Sequence, residues 1–186
     1  MELRRHQSVE WRIAVHGASG AGKSTLARAV ADQLGVPMLE LDSLYHQANW
    51  TPLEESEFRR RVGDFVAQPA WVCDGNYRAV RDLVWERAQL IILLDPPRRR
   101  VMARLIRRTL KRVVLRQAMW NGNRESWRNL FSRDPERNIL LWSWRTHQSH
   151  RETTPSDATL YAPRATFVRV QNRREGRSLI DSLTTR

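Results

Sequence analysis

Short apolar runs alternate along the chain with longer segments whose apolar positions recur at helical spacing. The runs predict five strands, at residues 12–17, 36–42, 71–74, 89–95 and 165–170. The stretch Leu-Ile-Ile-Leu-Leu within the fourth run is continuously apolar, as expected of a strand buried on both sides. Alternating strands and helices of this length predict an α/β fold, in which helices cover both faces of a parallel sheet.

Capping residues set the expected limits of two helices. Gly35 is a natural C-terminal stop for the helix that starts near residue 23. Thr51 is a possible N-cap of the next helix, with Pro52 in its first position and acidic residues in its first turn.

Residues 97–150 carry no strand signal and are rich in arginine and tryptophan. We therefore expect one domain over residues 1–186, with a lid insertion at about 113–135.

Composition narrows the classes of protein to consider. The net charge is +12, and because lysine occurs only at Lys23 and Lys111, the other 30 of the 32 basic residues are arginine. Arginine suits phosphate, so nucleotides or nucleic acids are plausible partners, although a general bias from lysine to arginine explains many of these residues equally well. Cys73 is the single cysteine, which excludes an internal disulfide. No apolar stretch approaches the roughly 20 residues of a membrane span, and the N-terminus lacks a secretory pattern, so we expect a cytoplasmic protein without a membrane partner.

One motif carries most of the functional information. The stretch GASGAGKST matches G-x-x-x-x-G-K-[ST], and it lies between a predicted strand and a predicted helix, as a P-loop must. Its backbone N–H groups and the N-terminal end of the helix bind phosphate, its lysine reaches the β- and γ-phosphates, and its serine binds Mg²⁺. The expected ATP-binding residues are Gly17, Ser19, Gly20, Ala21, Gly22, Lys23, Ser24 and Thr25.

A P-loop alone does not specify a reaction. GTPases normally carry an N-K-x-D motif for the base, and this tetrapeptide does not occur in the sequence. Motor ATPases are usually larger and have a strand that ends in Asp-Glu, whereas the strands that end at Asp74 and Asp95 are not followed by Glu. A small chain with a long basic insertion fits a kinase better.

The segment DGNYR, residues 74–78, resembles the D-G-F-P-R segment of nucleoside monophosphate kinases in the adenylate-kinase-like branch. The resemblance implies that Asp74 organises Mg²⁺ and that Arg78 contacts the acceptor's phosphate. Asn76 and Tyr77 replace Phe-Pro, which leaves the acceptor open.

The motifs GASGAGKST, LELDSLYHQANWTP, WVCDGNYR and WNGNRESWRNL, in this order, are similar to those of the bacterial subgroup described as DNA topology modulation (FlaR-like) proteins. The resemblance covers roughly residues 12–172. It implies a three-layer α/β/α P-loop NTPase fold, with a five-stranded parallel sheet of order 2-3-1-4-5, a helical lid, and ATP and Mg²⁺ as cofactors.

Two further carboxylates follow strands. Asp42 ends the predicted second strand, where related small-molecule kinases bind or deprotonate the acceptor hydroxyl. The alternative is that Asp42 caps the following helix. Asp95 is a rival to Asp74 as the metal-organising carboxylate, but the prolines after it suggest a stiff exit from the strand, and Asp74 is favoured.

The basic lid supplies the remaining candidates. Resemblance to adenylate-kinase-like lids implies that one or two of Arg104, Arg108 and Arg124 neutralise the transferring phosphate, although a solvated basic face explains any one of them. The Asn-Gly pair at 121–122 predicts a turn or hinge, and tryptophans near it either pack the lid or stack on bases. In the related kinases the loop after the fifth strand passes the adenine ring, so the resemblance implies base contacts by Asn172 and Arg173.

Two classes of function follow. The first is an ATP- and Mg²⁺-dependent kinase that acts on a nucleotide or similar small molecule, or on a hydroxyl of an antibiotic or metabolite. The second is a nucleotide-regulated nucleic-acid-binding protein, suggested by the charge and by the tryptophan–arginine segment. No helix-turn-helix, zinc-finger or RNA-binding signature supports the second class.

Overall fold

Five parallel strands form the central sheet of the computed structural model, which describes residues 10–134 and 138–184. They are β1 (Arg12–Gly17), β2 (Met38–Glu40), β3 (Trp71–Asp74), β4 (Leu90–Leu94) and β5 (Thr166–Val170). The strand order is β2-β3-β1-β4-β5. This order confirms the predicted P-loop topology, and it places β1, which leads into the P-loop, between β3 and β4.

Helices follow the strands as the sequence predicts. They are α1 (Lys23–Leu34), α2 (Leu41–Tyr45), α3 (Glu55–Val66), α4 (Arg81–Arg87), α5 (Arg98–Val114), α6 (Trp127–Leu130), α7 (Ile139–Tyr161) and α8 (Arg173–Thr184). Three 3-10 turns lie between them, at Ala48–Trp50, Arg78–Val80 and Trp120–Gly122.

The sheet separates two apolar layers. Ile13 and Val15 of β1 pack on the side of α1 and α8, whereas Ala14 between them packs on the side of α3 and α4. Ile91 and Ile92 of β4 alternate in the same way. This alternation, in strands that are apolar on both faces, is the three-layer α/β/α arrangement expected from the sequence.

Two predicted element limits were wrong. The second strand ends at Glu40 rather than at Asp42, because residues 41–45 turn into the short helix α2. Helix α3 begins at Glu55 rather than next to Thr51. The Glu54 carboxylate caps it by accepting hydrogen bonds from two backbone N–H groups of the first turn.

Helix α7 is 23 residues long and contains a proline. Asn138 caps its start, accepting hydrogen bonds from two backbone N–H groups. The helix continues through Pro155 to Tyr161, with Thr154 and Ala158 buried against the body of the protein. Tertiary packing of this face offsets the loss of one backbone donor at the proline.

Among the described residues, no helix has the length and apolar character needed to cross a bilayer. The predicted lid at about 113–135 falls between the end of α5 and the start of α7. Residue 135 and the termini at 1–9 and 185–186 lie outside the described residues.

Candidate active site at the P-loop

The P-loop connects β1 to α1 in the conformation that its glycines permit. Gly17, Gly20 and Gly22 all have positive φ. A Cβ on Gly17 would lie 2.5 Å from the Leu94 carbonyl oxygen, and one on Gly20 would lie 2.9 Å from the Leu105 Cβ. The loop therefore requires glycine for its backbone angles and for its close approach to β4 and α5.

Lys23 and Ser24 begin helix α1. The Lys23 ammonium donates to the Ala18 carbonyl at 3.4 Å, so the side chain curls back over the loop. Ser24 Oγ donates to Asp74 Oδ2 at 2.5 Å. The adjacent parallel strands β1 and β3 thus bring the serine and the carboxylate together across 50 residues of sequence.

Asp74 fits the role of a magnesium-organising carboxylate. Its other oxygen, Oδ1, is buried and has no hydrogen-bond partner among the described residues. Burial raises the pKa of Asp74, while Lys23 and the Ser24 hydrogen bond partly oppose that shift. A hydroxyl and a carboxylate are a suitable pair of protein ligands for Mg²⁺, which takes its remaining oxygens from phosphates and water.

Asp95, the rival carboxylate, has different neighbours. It is buried at the end of β4, where its Oδ2 lies 3.2 Å from Arg151 Nε and 3.8 Å from Arg169. These ion pairs join β5 and α7 to the strand end. Asp95 is engaged in ion pairs, although its Oδ2 is also buried without a hydrogen bond among the described residues, and the difference from Asp74 is that Asp74 faces the P-loop serine.

Asn76 joins the segment after β3 to the P-loop. Its Oδ1 accepts from the Gly17 N–H at 3.2 Å, and its Nδ2 donates to the Gly17 carbonyl at 2.7 Å. Just before it, Gly75 has φ +152, and a Cβ there would lie 2.8 Å from the Leu41 side chain. The sequence identified Asn76 only as a departure from Phe-Pro. Its partner lies 59 residues away.

Tyr77, the second departure, contacts the candidate acceptor carboxylate. Its hydroxyl donates to Asp42 Oδ1 at 2.7 Å, and His46 Nε2 lies 3.3 Å from the same hydroxyl. Because the single tyrosine proton is directed to Asp42, His46 donates its Nε2 hydrogen to Tyr77. Burial lowers the pKa of His46, against an opposing effect of Asp42. The carboxylate thus does not cap α2, the alternative considered from sequence.

The candidate lid arginines differ in their positions. Arg104 NH1 lies 3.5 Å from the point where a Cβ on Gly22 would stand, next to the P-loop. Its pKa is lowered by burial and by the nearby charges of Arg173 and Arg100. Arg108, one turn on, lies in electrostatic range of Asp42.

Among the described residues, the Arg124 side chain makes no hydrogen bond or ion pair with the P-loop. Its backbone pairs with Ala118, and its carbonyl accepts from Trp50 Nε1 at 3.2 Å. Arg78 is exposed at the start of its 3-10 turn and lies in electrostatic range of His150.

The segment around Asn121 is an anchor in this structure. We define residues 118–124 as the lid base and residues 43–50 as the acceptor loop. Asn123 donates to the Gln47 carbonyl and accepts from the Trp50 N–H, both at 2.8 Å. Asn121 donates to the Ser43 and His46 carbonyls. The predicted turn is present, with Asn121 in left-handed backbone, but these bonds tie the lid base to the acceptor loop.

The two residues predicted to contact the base lie at the start of α8. Asn172 and Glu175 satisfy each other's groups there: Asn172 Oδ1 accepts from the Glu175 N–H, and its Nδ2 donates to the Glu175 carboxylate. Asn172 thus works as a helix cap. Arg173 lies in electrostatic range of Arg104, at the P-loop side of α5.

The fold around this site is similar to that of kinases of known structure. The structure of a shikimate kinase from Acinetobacter baumannii in complex with shikimate aligns over 96% of this chain and 93% of that one, with a TM-score of 0.53 and 18% identity. A gluconokinase from Sinorhizobium meliloti aligns over 95% and 93%, with a TM-score of 0.53 and 20% identity. The chain has the fold of the P-loop kinases.

A match to a family model covers the first part of this fold. The family model described as Cytidylate kinase matches residues 13–74, from β1 to the end of β3. A cytidylate kinase from Rhodopirellula baltica is 31% identical over 97 residues, which are 46% of this chain and 42% of that relative. The matched region carries the P-loop and both Asp42 and Asp74. The arginine-rich α5, the lid base and α7 lie outside the family-model match.

Proposed function

We propose that the protein is a phosphotransferase that moves the γ-phosphate of ATP to a small-molecule acceptor in the presence of Mg²⁺. The observation that carries this proposal is the pairing of Ser24 with Asp74 at the P-loop, with one carboxylate oxygen buried and unpaired. Ser24 and Asp74 would hold Mg²⁺, which would supply positive charge against the charge that develops during transfer. The family match to cytidylate kinases supports the same reaction class.

The acceptor side favours a hydroxyl. Tyr77 fixes Asp42 Oδ1, so the orientation of the carboxylate is set before any substrate enters. Asp42 Oδ2 accepts no hydrogen bond from the described residues and is left to accept the proton of an acceptor hydroxyl. A bare carboxylate beside an incoming phosphate would be repulsive, whereas beside a hydroxyl it orients the nucleophile.

Positive charge near the same place favours an anionic group elsewhere on the acceptor. Arg108 lies in electrostatic range of Asp42, and Arg78 follows the Asp42 partner Tyr77 in the chain. We therefore propose an acceptor that carries a hydroxyl together with a carboxylate or phosphate. The neighbour solved with shikimate and the gluconokinase act on acceptors of this kind by their names.

A nucleoside monophosphate is the second candidate, because the sequence match to cytidylate kinases includes Asp42 and Asp74. The two candidates differ in proton chemistry. A hydroxyl must lose a proton as it attacks, whereas a phosphate oxygen is already ionised. Asp42→Asn should therefore reduce transfer to a hydroxyl acceptor by about 100-fold or more, within the range of general-base effects, and should affect transfer to a nucleotide far less.

Nucleic-acid binding remains a separate prediction. Part of the positive charge is neutralised within the chain, by ion pairs such as Arg28–Glu40, Arg59–Asp82 and Arg112–Glu125. A salt titration of DNA or RNA binding tests it, with Lys23→Ala as the comparison, since nucleic-acid affinity should survive that change.

The deciding experiment is a transfer assay with Mg²⁺ and γ-labelled ATP. The panel should hold hydroxy acids, sugar acids, phosphorylated alcohols and nucleoside monophosphates. We expect label on one acceptor class, lost in Lys23→Ala and Asp74→Asn. Arg61→Ala is the matched basic control, because Arg61 pairs with Glu57 on the far surface of α3 and should leave transfer unchanged. Absence of transfer to the whole panel contradicts the proposal.

A further inference from the structure

Helix α7 packs against the P-loop through two polar side chains that have no role in the proposed reaction. Ser143 is fully buried, and its hydroxyl donates to the Ser19 carbonyl at 2.9 Å. Two turns later, His150 Nε2 lies 3.4 Å from Asn76 Nδ2. The helix thus contacts the P-loop directly at Ser19 and, through His150, the residue that brackets Gly17.

The hydrogen-bond partners of Asn76 fix the state of that ring nitrogen. A 180° rotation of the Asn76 amide would break both of its hydrogen bonds to Gly17. The atom next to His150 is therefore the donor Nδ2 and not the acceptor Oδ1. One N–H of Nδ2 goes to the Gly17 carbonyl, and the other is the one available to His150. His150 Nε2 must therefore accept, which requires that it carry no proton.

The charges around the ring favour the same neutral state. Lys23 approaches from α1, Arg78 and Arg81 from the segment after β3, and His147 from one turn earlier on α7. His16 of β1 also lies in electrostatic range. Burial first, and then these neighbours, lower the pKa of His150 to about 4.

We propose that His150 is a phosphate-binding residue of the nucleotide site, and that it takes up one proton from solvent when the triphosphate binds. This inference rests on the proposed binding of ATP. A bound polyphosphate next to Lys23 neutralises the cations that now disfavour the imidazolium. Its oxygens also offer Nε2–H an acceptor, in place of the Asn76 N–H that excludes a proton there. No covalent bond forms or breaks.

Proton uptake on binding is measurable without turnover. A non-hydrolysable ATP analogue with Mg²⁺ is titrated into the protein by calorimetry, at about pH 5.5, in buffers of different ionisation enthalpy. Free His150 is almost entirely neutral at this pH, since its pKa is about 4. We expect the wild type to take up at least about half a proton more per site than His150→Asn does, since an imidazole near its ordinary pKa would be mostly charged there. The comparison between proteins cancels the titration of the analogue itself.

Gln148→Ala is the matched control, an exposed amide of the same helix that pairs with Glu152. It should retain the wild-type proton uptake. Equal uptake by wild type and His150→Asn, with binding intact in both, overturns the inference and leaves the proposed function standing. Absence of analogue binding by the wild type overturns both.

A measurement on the unmodified protein covers the case in which His150→Asn fails to fold. The imidazole resonances are followed by NMR as a function of pH, with and without the analogue. A histidine that titrates near pH 4 in the free protein should titrate well above that in the complex. If no histidine pKa rises on binding, His150 does not charge and the inference falls.

Discussion

Asn76 holds both backbone polar groups of Gly17, accepting from its N–H at 3.2 Å and donating to its carbonyl at 2.7 Å. This pair of hydrogen bonds fastens the entrance of the P-loop to the segment that follows Asp74, the carboxylate proposed to hold Mg²⁺. Since the phosphate-binding N–H groups of a P-loop must all point inward at once, a fixed entrance lowers the cost of ordering the loop around a nucleotide.

Loss of the Asn76 side chain should therefore weaken nucleotide binding. We expect Asn76→Ala to raise the Kd of Mg-ATP by about 5- to 100-fold, the equivalent of about 1–3 kcal/mol for unsatisfied backbone groups. Isothermal calorimetry checks this. Asn76→Asp keeps the acceptor but loses the donor and adds negative charge near the phosphates, so it should bind more weakly still. Gln148→Ala, an exposed amide on α7 paired with Glu152, is the control. Wild-type affinity in Asn76→Asp would contradict a bracketing role.

Tyr77 should act on the acceptor and not on the nucleotide. Its hydroxyl orients Asp42, so Tyr77→Phe should lower kcat with the identified acceptor by about tenfold, the cost of about 1–1.5 kcal/mol for one hydrogen bond. The Kd of Mg-ATP should stay the same, because the Tyr77 side chain makes its hydrogen bonds with Asp42 and His46 and none with the P-loop among the described residues. Tyr161→Phe changes a tyrosine on the far end of α7 and should leave kcat unchanged. A higher Kd for ATP with unaltered kcat would show that Tyr77 acts on the nucleotide, and it would contradict the prediction.

In the absence of metal, the ionised Asp74 carboxylate should lower the free energy of unfolding. Its folded pKa is raised, chiefly by burial, so the folded state favours the protonated form. Stability then falls as pH rises from the ordinary carboxyl range through the raised pKa. Asp74→Asn removes that penalty, and we expect its Tm without Mg²⁺ to exceed the wild-type value by roughly 2–5 °C at neutral pH, with the difference vanishing near pH 3.

In Asp74→Asn, Mg²⁺ should no longer affect nucleotide binding. This loss would link the stability penalty of Asp74 to the proposed metal site. Asp95→Asn is the matched comparison at the end of the next strand. It removes the ion pairs with Arg151 and Arg169, so its Tm should fall. Thermal unfolding of the three proteins across pH decides the matter. A Tm for Asp74→Asn below that of the wild type at neutral pH would show that Asp74 stabilises the metal-free fold.

Local patterns were sufficient to predict the sheet and the P-loop. The strands and the P-loop follow from apolar runs and from a motif whose geometry is set within nine residues, whereas the strand order and the role of Asp74 beside Ser24 came from the resemblance to adenylate-kinase-like proteins. The end of β2 did not follow. Leu41 enters a helix and packs against Gly75, where even one additional carbon would collide. That contact joins residues far apart in sequence, and no local pattern contains it.

The roles of Asn76, Tyr77 and Asn123 were missed for the same reason. Each uses an ordinary polar side chain, and each has partners 31 to 76 residues away. In the sequence alone, Asn76 and Tyr77 mark a departure from Phe-Pro, and Asn123 lies next to a possible hinge. Only the register of β1 with β3, and the docking of the lid base, bring their partners within hydrogen-bond distance.

The bonds between lid base and acceptor loop predict that the two segments open together. Asn123 is almost fully buried, and its amide holds the Gln47 carbonyl and the Trp50 N–H. Asn123→Ala leaves both groups without their partner, which should destabilise the docked state by about 1–3 kcal/mol. Hydrogen exchange should then speed up in the acceptor loop and in the lid base alike, while β1 and β4 stay protected.

Asn172→Ala provides the comparison for this exchange experiment. It removes a side-chain cap of similar hydrogen-bonding capacity, but at the start of α8, so faster exchange should be confined to that helix. In Asn123→Ala the KM for the acceptor should rise more than the Kd for ATP, because the acceptor loop carries His46 and continues from Asp42. If the lid base exchanges faster while the acceptor loop does not, the two segments move independently and the lid opens without disturbing the acceptor side.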